Sequence, residues 1–455
     1  MADDAINALL PVAAVVHIAL GIMSLILVRK TKDRAWNEKF AGYIISWMMI
    51  ILGLEYTFAT IIDFKIEQFT PQDFADGSYT ELLFSSYKFG ERAMDSAFIS
   101  LVFILPFIYP YPILQKESAV KVSAGIVILL GLLIIPIDIF TEYTHRDIKL
   151  SVTWFCYFIW MAVYLRFLFG ELLYGEEKAR DVSAVSVLLL LGVKIQFMIF
   201  WLINLSGKSQ IYQARWIVED DLIGGVSQSE ISTSIFLPVA MTLSGLTLVF
   251  LMGGELWRAF KKGVSGLTVI ISVIFVVGII WFLLTIVMED TTKSCVETVC
   301  GQFPKSFIDW YAFTFQVAAY LLVPLIFMYV ILNYNIVDTS SSESKVITRI
   351  MVLLLLLVAT SSLIEMIQIV LPIPEMVTSA IFAGGVVLFI GWEEKIMDRM
   401  MKHKSNVVDS IDKIIPLNKP MIDEGDYRTF SIVMFSLVIY GLLLALLFDS
   451  LGLHR

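Results

Sequence analysis

A single lysine interrupts an apolar run at Gly192-Val193-Lys194-Ile195-Gln196. An ionisable group at mid-bilayer costs about 2.5–3.5 kcal/mol on insertion scales, so such groups face protein or a water-filled cavity. Lys194 offers a counter-charge for a substrate anion or a proton-coupled carboxylate; the alternative is a permanent interhelical ion pair. Glu365 sits in Ser361-Ser362-Leu363-Ile364-Glu365-Met366-Ile367-Gln368. Ser361, Glu365 and Gln368 recur at i, i+4 and i+7 and share one helix face. That stripe either lines a cavity or makes the polar helix–helix contacts common in bilayers. Glu55, in Gly53-Leu54-Glu55-Tyr56, lies at comparable depth. Lys194 is therefore expected to pair with Glu365 or Glu55. His17, with Pro11 a turn and a half before it, is either a proton carrier or a hydrogen-bonded packing residue.

A second group lies where a helix approaches the membrane. Ser85, Lys88, Arg92 and Asp95, with Glu91, line one face of a segment that can be helical from Leu82 onward. Lys88–Glu91 and Arg92–Asp95 have the i, i+3 spacing of surface ion pairs. The face reads as an outer vestibule or as the solvated side of a protruding helix. Cys295-Val-Glu-Thr-Val-Cys300 is a candidate local disulfide if that loop meets an oxidising compartment; two free thiols are the alternative. The four His are scattered and the Cys pair has no nearby His, so no metal site or cofactor is expected. Glu219-Asp220-Asp221 lacks the spaced ligands of a Ca²⁺ loop and reads as a solvated acidic stretch.

The elements that must hold these residues are apolar runs. The 455 residues are 58% hydrophobic and 16% charged, with a mean hydropathy of +0.80. Twelve stretches approach the roughly 20 residues that a spanning helix needs: 5–28, 41–62, 93–114, 120–139, 151–173, 182–204, 235–253, 267–287, 308–332, 350–370, 377–396 and 430–448. The expected fold is all-α: a polytopic transmembrane bundle of about 12 helices, forming one integral membrane domain over 1–455. The longest stretch outside the runs, 397–429, is too short to build its own core. No GxxxxGK[ST], GxGxxG or HExxH pattern occurs. Nucleotide hydrolysis, kinase activity and nucleic-acid binding are thereby excluded, and His145-Arg146-Asp147 is chance.

Charge gives the orientation. With the span-end residues Lys121, Glu393, Glu394, Lys395 and Asp309 counted in the connections they adjoin, Lys and Arg outnumber Asp and Glu, 21 to 17, on one set of connections and are outnumbered 10 to 20 on the other. The basic set marks the cytoplasmic side, so both termini are expected outside the cell membrane. Asp3 and Asp4 stand where a cleavable signal would be basic, and Arg29, Lys30, Lys32 and Arg34 follow the first run. That first helix is expected to be retained, and Arg166 and Glu171 are expected to snorkel to the inner interface. Residues 403–416 place Val407, Val408, Ile411, Ile414 and Ile415 opposite Lys404, Asp409, Asp412 and Lys413. This predicts an amphipathic helix on the inner membrane surface, or one that binds a partner. Gly170-Glu171-Leu172 and Gly254-Glu255-Leu256 each close an out-to-in helix, but no six-plus-six repeat accommodates them.

Val330-Ile331-Leu332-Asn333-Tyr334-Asn335-Ile336-Val337-Asp338 is similar to the exit segment of seven-helix sensory regions in some histidine kinases. The similarity covers nine residues; the kinase domain of such proteins is missing, and three further runs follow. Two functional classes fit the chain. One is a secondary transporter for a small solute or ion, using intramembrane charges. The other is a non-enzymatic sensor or receptor, or a structural subunit of a larger membrane complex. An enzyme would need a catalytic pair that the sequence does not offer. Expected partners are the lipid bilayer, a solute or ion, and other membrane proteins or a second copy.

Overall fold

The computed structural model describes residues 2–31, 34–66, 85–140, 146–176, 178–206, 236–292, 305–334, 336–337, 342–370, 407–417 and 422–451, with Gln68, Leu82, Lys395 and Pro420. Among these, every regular element is helical: α1 (Ala2–Lys30), α2 (Trp36–Ile66), α3 (Ser86–Ile108), α4 (Glu117–Phe140), α5 (Arg146–Tyr174), α6 (Ala179–Met198), α7 (Trp201–Leu205), α8 (Phe236–Lys262), α9 (Gly266–Thr292), α10 (Lys305–Val317), a π-helical turn (Ala318–Leu322), α11 (Val323–Asn333), α12 (Ser342–Val370), α13 (Val407–Ile414) and α14 (Glu424–Ser450).

Nine helices among the described residues are long and apolar enough to cross a membrane. The expected runs at 93–114 and 350–370 overlap α3 and α12, whereas 377–396 lies outside the described residues apart from Lys395. The outward sides of several helices are apolar at helical spacing. Val122, Ile126, Leu129, Leu133 and Ile137 on α4 are exposed, as are Val269, Val273, Val276, Ile280 and Leu283 on α9 and Ile432, Phe435, Ile439, Leu443 and Leu446 on α14. Apolar faces this continuous are stable only against hydrocarbon, where helices also satisfy their own backbone hydrogen bonds. The chain is a multi-pass membrane protein.

Two helices form the centre. α3 packs against α2, α4, α5 and α14, and α6 against α5, α8, α11, α13 and the π turn. In α6, 78% of the apolar window is buried, against 28% in α9 and α14. Hence Lys194 on α6 stands deep in protein, away from lipid.

Contacts gather several connections at one end of the bundle. Lys30 is ion-paired with Glu343, and Lys121 bridges Glu117 at 2.7 Å and Asp426 at 3.5 Å. The Tyr427 hydroxyl donates to the Trp36 carbonyl at 3.1 Å. Asp423 caps α14 by accepting from the Asp426 amide at 2.9 Å, and Asp426 reciprocates from its carboxylate.

Val407 and Ile411 of α13 are wholly buried in the core, and α13 packs against α6, so these two residues of the expected amphipathic face meet the protein's own bundle. Of the two residues expected to snorkel, Arg166 stays about half exposed, whereas Glu171 needs correction. Arg166 pairs with Glu176 at 3.5 Å, and Glu171 is only 5% exposed, within electrostatic range of Arg258 and Arg180.

Candidate functional site

Close approach of α1 and α2 builds one wall of the polar interior. A β-carbon at Gly53 would stand 2.8 Å from the Ile18 nitrogen and 2.9 Å from the Ala14 carbonyl oxygen. One at Gly21 would stand 2.9 Å from both the Ile50 nitrogen and the Ser46 carbonyl oxygen. Only glycine lets two backbones meet this closely, the usual device for packing helices in lipid. The contact sets His17 of α1 edge-on to Tyr56 of α2, with ring centroids 5.1 Å apart. His17 is fully buried, and its Nδ1 lies 2.8 Å from the Ala13 carbonyl oxygen. A carbonyl only accepts, so Nδ1 carries the proton and donates it. Nε2 is left as a buried acceptor without a hydrogen-bond partner among the described residues.

Tyr56 meets Tyr320 edge-to-face at 4.7 Å. Tyr320 lies in the π turn, and Pro324 follows four residues later. Proline has no N–H, and its ring clashes with the carbonyl four positions back, here that of Tyr320. Widening the helix by one residue relieves that clash, and such π turns frequently mark functional positions.

Asp95 of α3 joins the two halves. It lies within electrostatic range of Tyr56, as do Glu55 and Tyr320, and it also acts on Lys194. Lys194 is 7% exposed. Its Nζ lies 5.5 Å from the ring centroid of Phe197 and 6.0 Å from that of Tyr157. Aromatic faces attract a desolvated cation. The ionisable groups nearest Lys194 in electrostatic terms are the Cys156 thiol, which is neutral, and Asp95, and among the described residues no carboxylate lies within ion-pair distance. The expected pairing with Glu55 is therefore not made. Glu365, Ser361 and Gln368 lie on α12, but their side chains, like Cys295 and Cys300, are outside the described residues. Tyr157 is satisfied differently: Ser244 donates to the Ala240 carbonyl at 2.8 Å and accepts from the Tyr157 hydroxyl at 2.6 Å.

At the start of α3, Lys88 pairs with Glu91 at 2.7 Å and both are part-buried. Burial holds the Lys88 ammonium below its usual pKa, with Glu91 working against that shift. Burial alone would raise Glu91, but Lys88 and Arg92 outweigh it and hold the carboxyl below its ordinary range. Asp95 continues this helix face, so Lys88, Glu91 and the interior cluster share one stripe of α3.

The sequence reading passed over a buried network at the α8–α9 turn. Arg258 donates from Nε and Nη2 to Glu255 Oε2, each at 3.1 Å, and Thr268 Oγ1 donates to the same oxygen at 3.0 Å. Arg258 also reaches Ser265, whose hydroxyl accepts from the Thr268 amide at 3.2 Å. Glu255 and Arg258 are 1% and 2% exposed. Gly263, at φ +92°, makes the turn that a side chain would strain. The i, i+3 spacing of Glu255 and Arg258 and the Ser265-x-x-Thr268 cap were the available signals. Among the described residues no group of His, Cys, Asp or Glu could hold a metal ion.

No family model, curated protein or solved structure matches this chain. Function rests on the interior cluster alone.

Proposed function

We propose that the protein is a secondary transporter of the cell membrane whose coupling site comprises His17, Glu55, Tyr56, Asp95 and Lys194, with Tyr320 at the hinge. The observation that carries this reading is the position of Asp95, which acts electrostatically on both Tyr56 and Lys194. A carboxylate whose charge is felt by both a tyrosine and a buried lysine can exchange a proton or an ion for a solute, and Glu55 acts on the same tyrosine more strongly. Lys194 is the counter-charge in that exchange. The π turn beside Tyr56 is the place where the bundle rearranges. Lys88, Glu91 and Arg92 form the mouth, and Ser361, Glu365 and Gln368 extend the site from α12 on their sequence pattern. The basic excess favours the cytoplasm for the end holding Lys30, Lys121 and Glu343, which leaves both termini outside; the Lys30–Glu343 and Lys121–Asp426 pairs, with the Tyr427–Trp36 hydrogen bond, support a shared face.

The test is solid-supported-membrane electrophysiology on reconstituted protein with a panel of organic anions, amino acids, sugars and inorganic ions. One class should give a transient charge movement that Asp95→Asn abolishes while the variant still reconstitutes. Silence of the wild-type protein toward the whole panel overturns transport and favours the receptor or complex-subunit reading.

A further inference from the structure

The apolar run over 182–204 is not one helix: α6 ends at Met198 and α7 starts at Trp201. Neither proline nor glycine lies between Phe197 and Trp201, so the local sequence does not impose the break. Side chains hold it. In a continuous helix the Phe197 carbonyl would accept from the Trp201 amide, four residues on. Here it accepts from the Phe200 amide at 3.3 Å and from Asn204 Nδ2 at 2.9 Å. A side chain inserted into the ladder of helix hydrogen bonds is one of the few causes of a sharp helix bend. Asn204 is buried, and its Oδ1 has no hydrogen-bond partner among the described residues. The latch is half-satisfied, which limits how far the broken state lies below a continuous one.

Trp201 is the second fastening. Its indole Nε1 donates to the Phe275 carbonyl of α9 at 3.0 Å, and its ring stacks on that of Phe275 with centroids 4.3 Å apart. A β-carbon at Gly278 would overlap the same indole, so the bare backbone there is the slot that Trp201 fills. On α8, a β-carbon at Gly245 would stand 2.8 Å from the Trp201 carbonyl oxygen. Gly245 adjoins Ser244, whose hydroxyl holds the Tyr157 ring beside Lys194. Phe197, whose carbonyl carries the latch, places its own ring 5.5 Å from Lys194 Nζ. Both fastenings of α7 thus lead to the rings that flank Lys194.

We propose that α7 is a gate over Lys194: the broken helix is the closed state, and joining of α6 and α7 into one helix draws Trp201 from its slot and opens a way to the lysine. The gate rests on the reading of Lys194 as part of a transport site. Release of Asn204 returns the Phe197 carbonyl to the Trp201 amide, so that acceptor is satisfied in either state. An element with two such discrete arrangements is what a switching transition requires. The movement is local to one helix and separate from rearrangement at the π turn.

Alkylation of Cys156 by N-ethylmaleimide in the reconstituted full chain, followed by peptide mass spectrometry, tests the movement. Cys156 is wholly buried and is one of the two ionisable groups that act on Lys194. Gly278→Ala fills the slot and should speed its modification on the order of tenfold, the lower end of an overpacking cost. Leu202→Pro should do the reverse. Proline is tolerated in the first turn of a helix, as Pro324 is at the second position of α11. In a joined helix its ring would clash with the Met198 carbonyl four residues back. The Gly278→Ala, Leu202→Pro double variant should therefore label about as slowly as the unsubstituted chain. An unchanged rate in Gly278→Ala overturns the gate. So does a double variant as fast as Gly278→Ala, which would mean general loosening, and so does a Leu202→Pro chain that fails to fold, since the broken helix accepts proline there. Silence in the solute panel overturns transport alone and leaves these rates to decide whether the helix moves.

Discussion

The ammonium of Lys194 lies over the ring of Phe197, 5.5 Å from its centroid and one helical turn away on α6. This contact helps a lysine to persist in the most buried of the described spans, where no described carboxylate is within ion-pair distance. Aromatic faces supply attraction worth about 2 kcal/mol when desolvated, and Asp95 supplies a field from α3.

Removal of Lys194 should therefore not leave a paired carboxylate stranded. Lys194→Met is expected to leave the melting temperature in detergent unchanged or raised, because a buried charge is lost and a similar apolar volume is kept. In a double-mutant cycle, coupling to Asp95→Asn should exceed coupling to Glu55→Gln. A drop of many degrees that Glu55→Gln rescues would show that Lys194 and Glu55 are paired after all.

Gly53→Ala should destabilise by about 1–3 kcal/mol, the cost of overpacking. Besides the Ile18 side chain it meets backbone atoms of Ala14 and Ile18, which cannot swing aside. Gly125→Ala is the control: it is also helical, and its β-carbon would meet nothing within 4 Å, so it should be neutral or slightly stabilising. Thermal unfolding of both variants in one detergent decides this. Equal behaviour would mean that α1 and α2 do not touch at Gly53.

Arg258→Ala should cost about 3–5 kcal/mol, because it strands a buried Glu255 carboxylate. Arg258→Met combined with Glu255→Gln should recover much of that loss, since no charge remains to be compensated. The readout is melting temperature and yield of folded protein by size-exclusion chromatography. A mild Arg258→Ala would indicate that water reaches the turn.

Acid should destabilise through Glu91. Its folded pKa is depressed, so the unfolded chain takes up the proton first. The stabilisation is complete above the ordinary value of 4.5 and is lost as pH falls through the lower folded value. Melting temperature should fall more between about pH 6 and about pH 3 in the wild-type chain than in Glu91→Gln. Parallel profiles would remove Glu91 as a contributor.

The apolar runs were legible in the sequence because transfer of some 20 residues into hydrocarbon is a local property, summed along one segment. Lys194, Glu55 and His17 were legible for the same reason: each is a polar residue in an apolar run, whatever its neighbours. The Lys88–Glu91 pair was legible because it lies within one helical turn. Their partners across the bundle were not. Tyr56 and Tyr320 are 264 positions apart and meet only because α1, α2 and the π turn pack together. Asp95 looked like the last residue of an outer charged face, yet its field reaches Lys194 on another helix. Val407 and Ile411 form an apolar stripe that fits lipid as well as it fits α6, and packing against α6 decided between them. A hydrophobic pattern states that a face must leave water. Which surface receives it, and which charge faces which, depends on distances that exist only after the helices have packed.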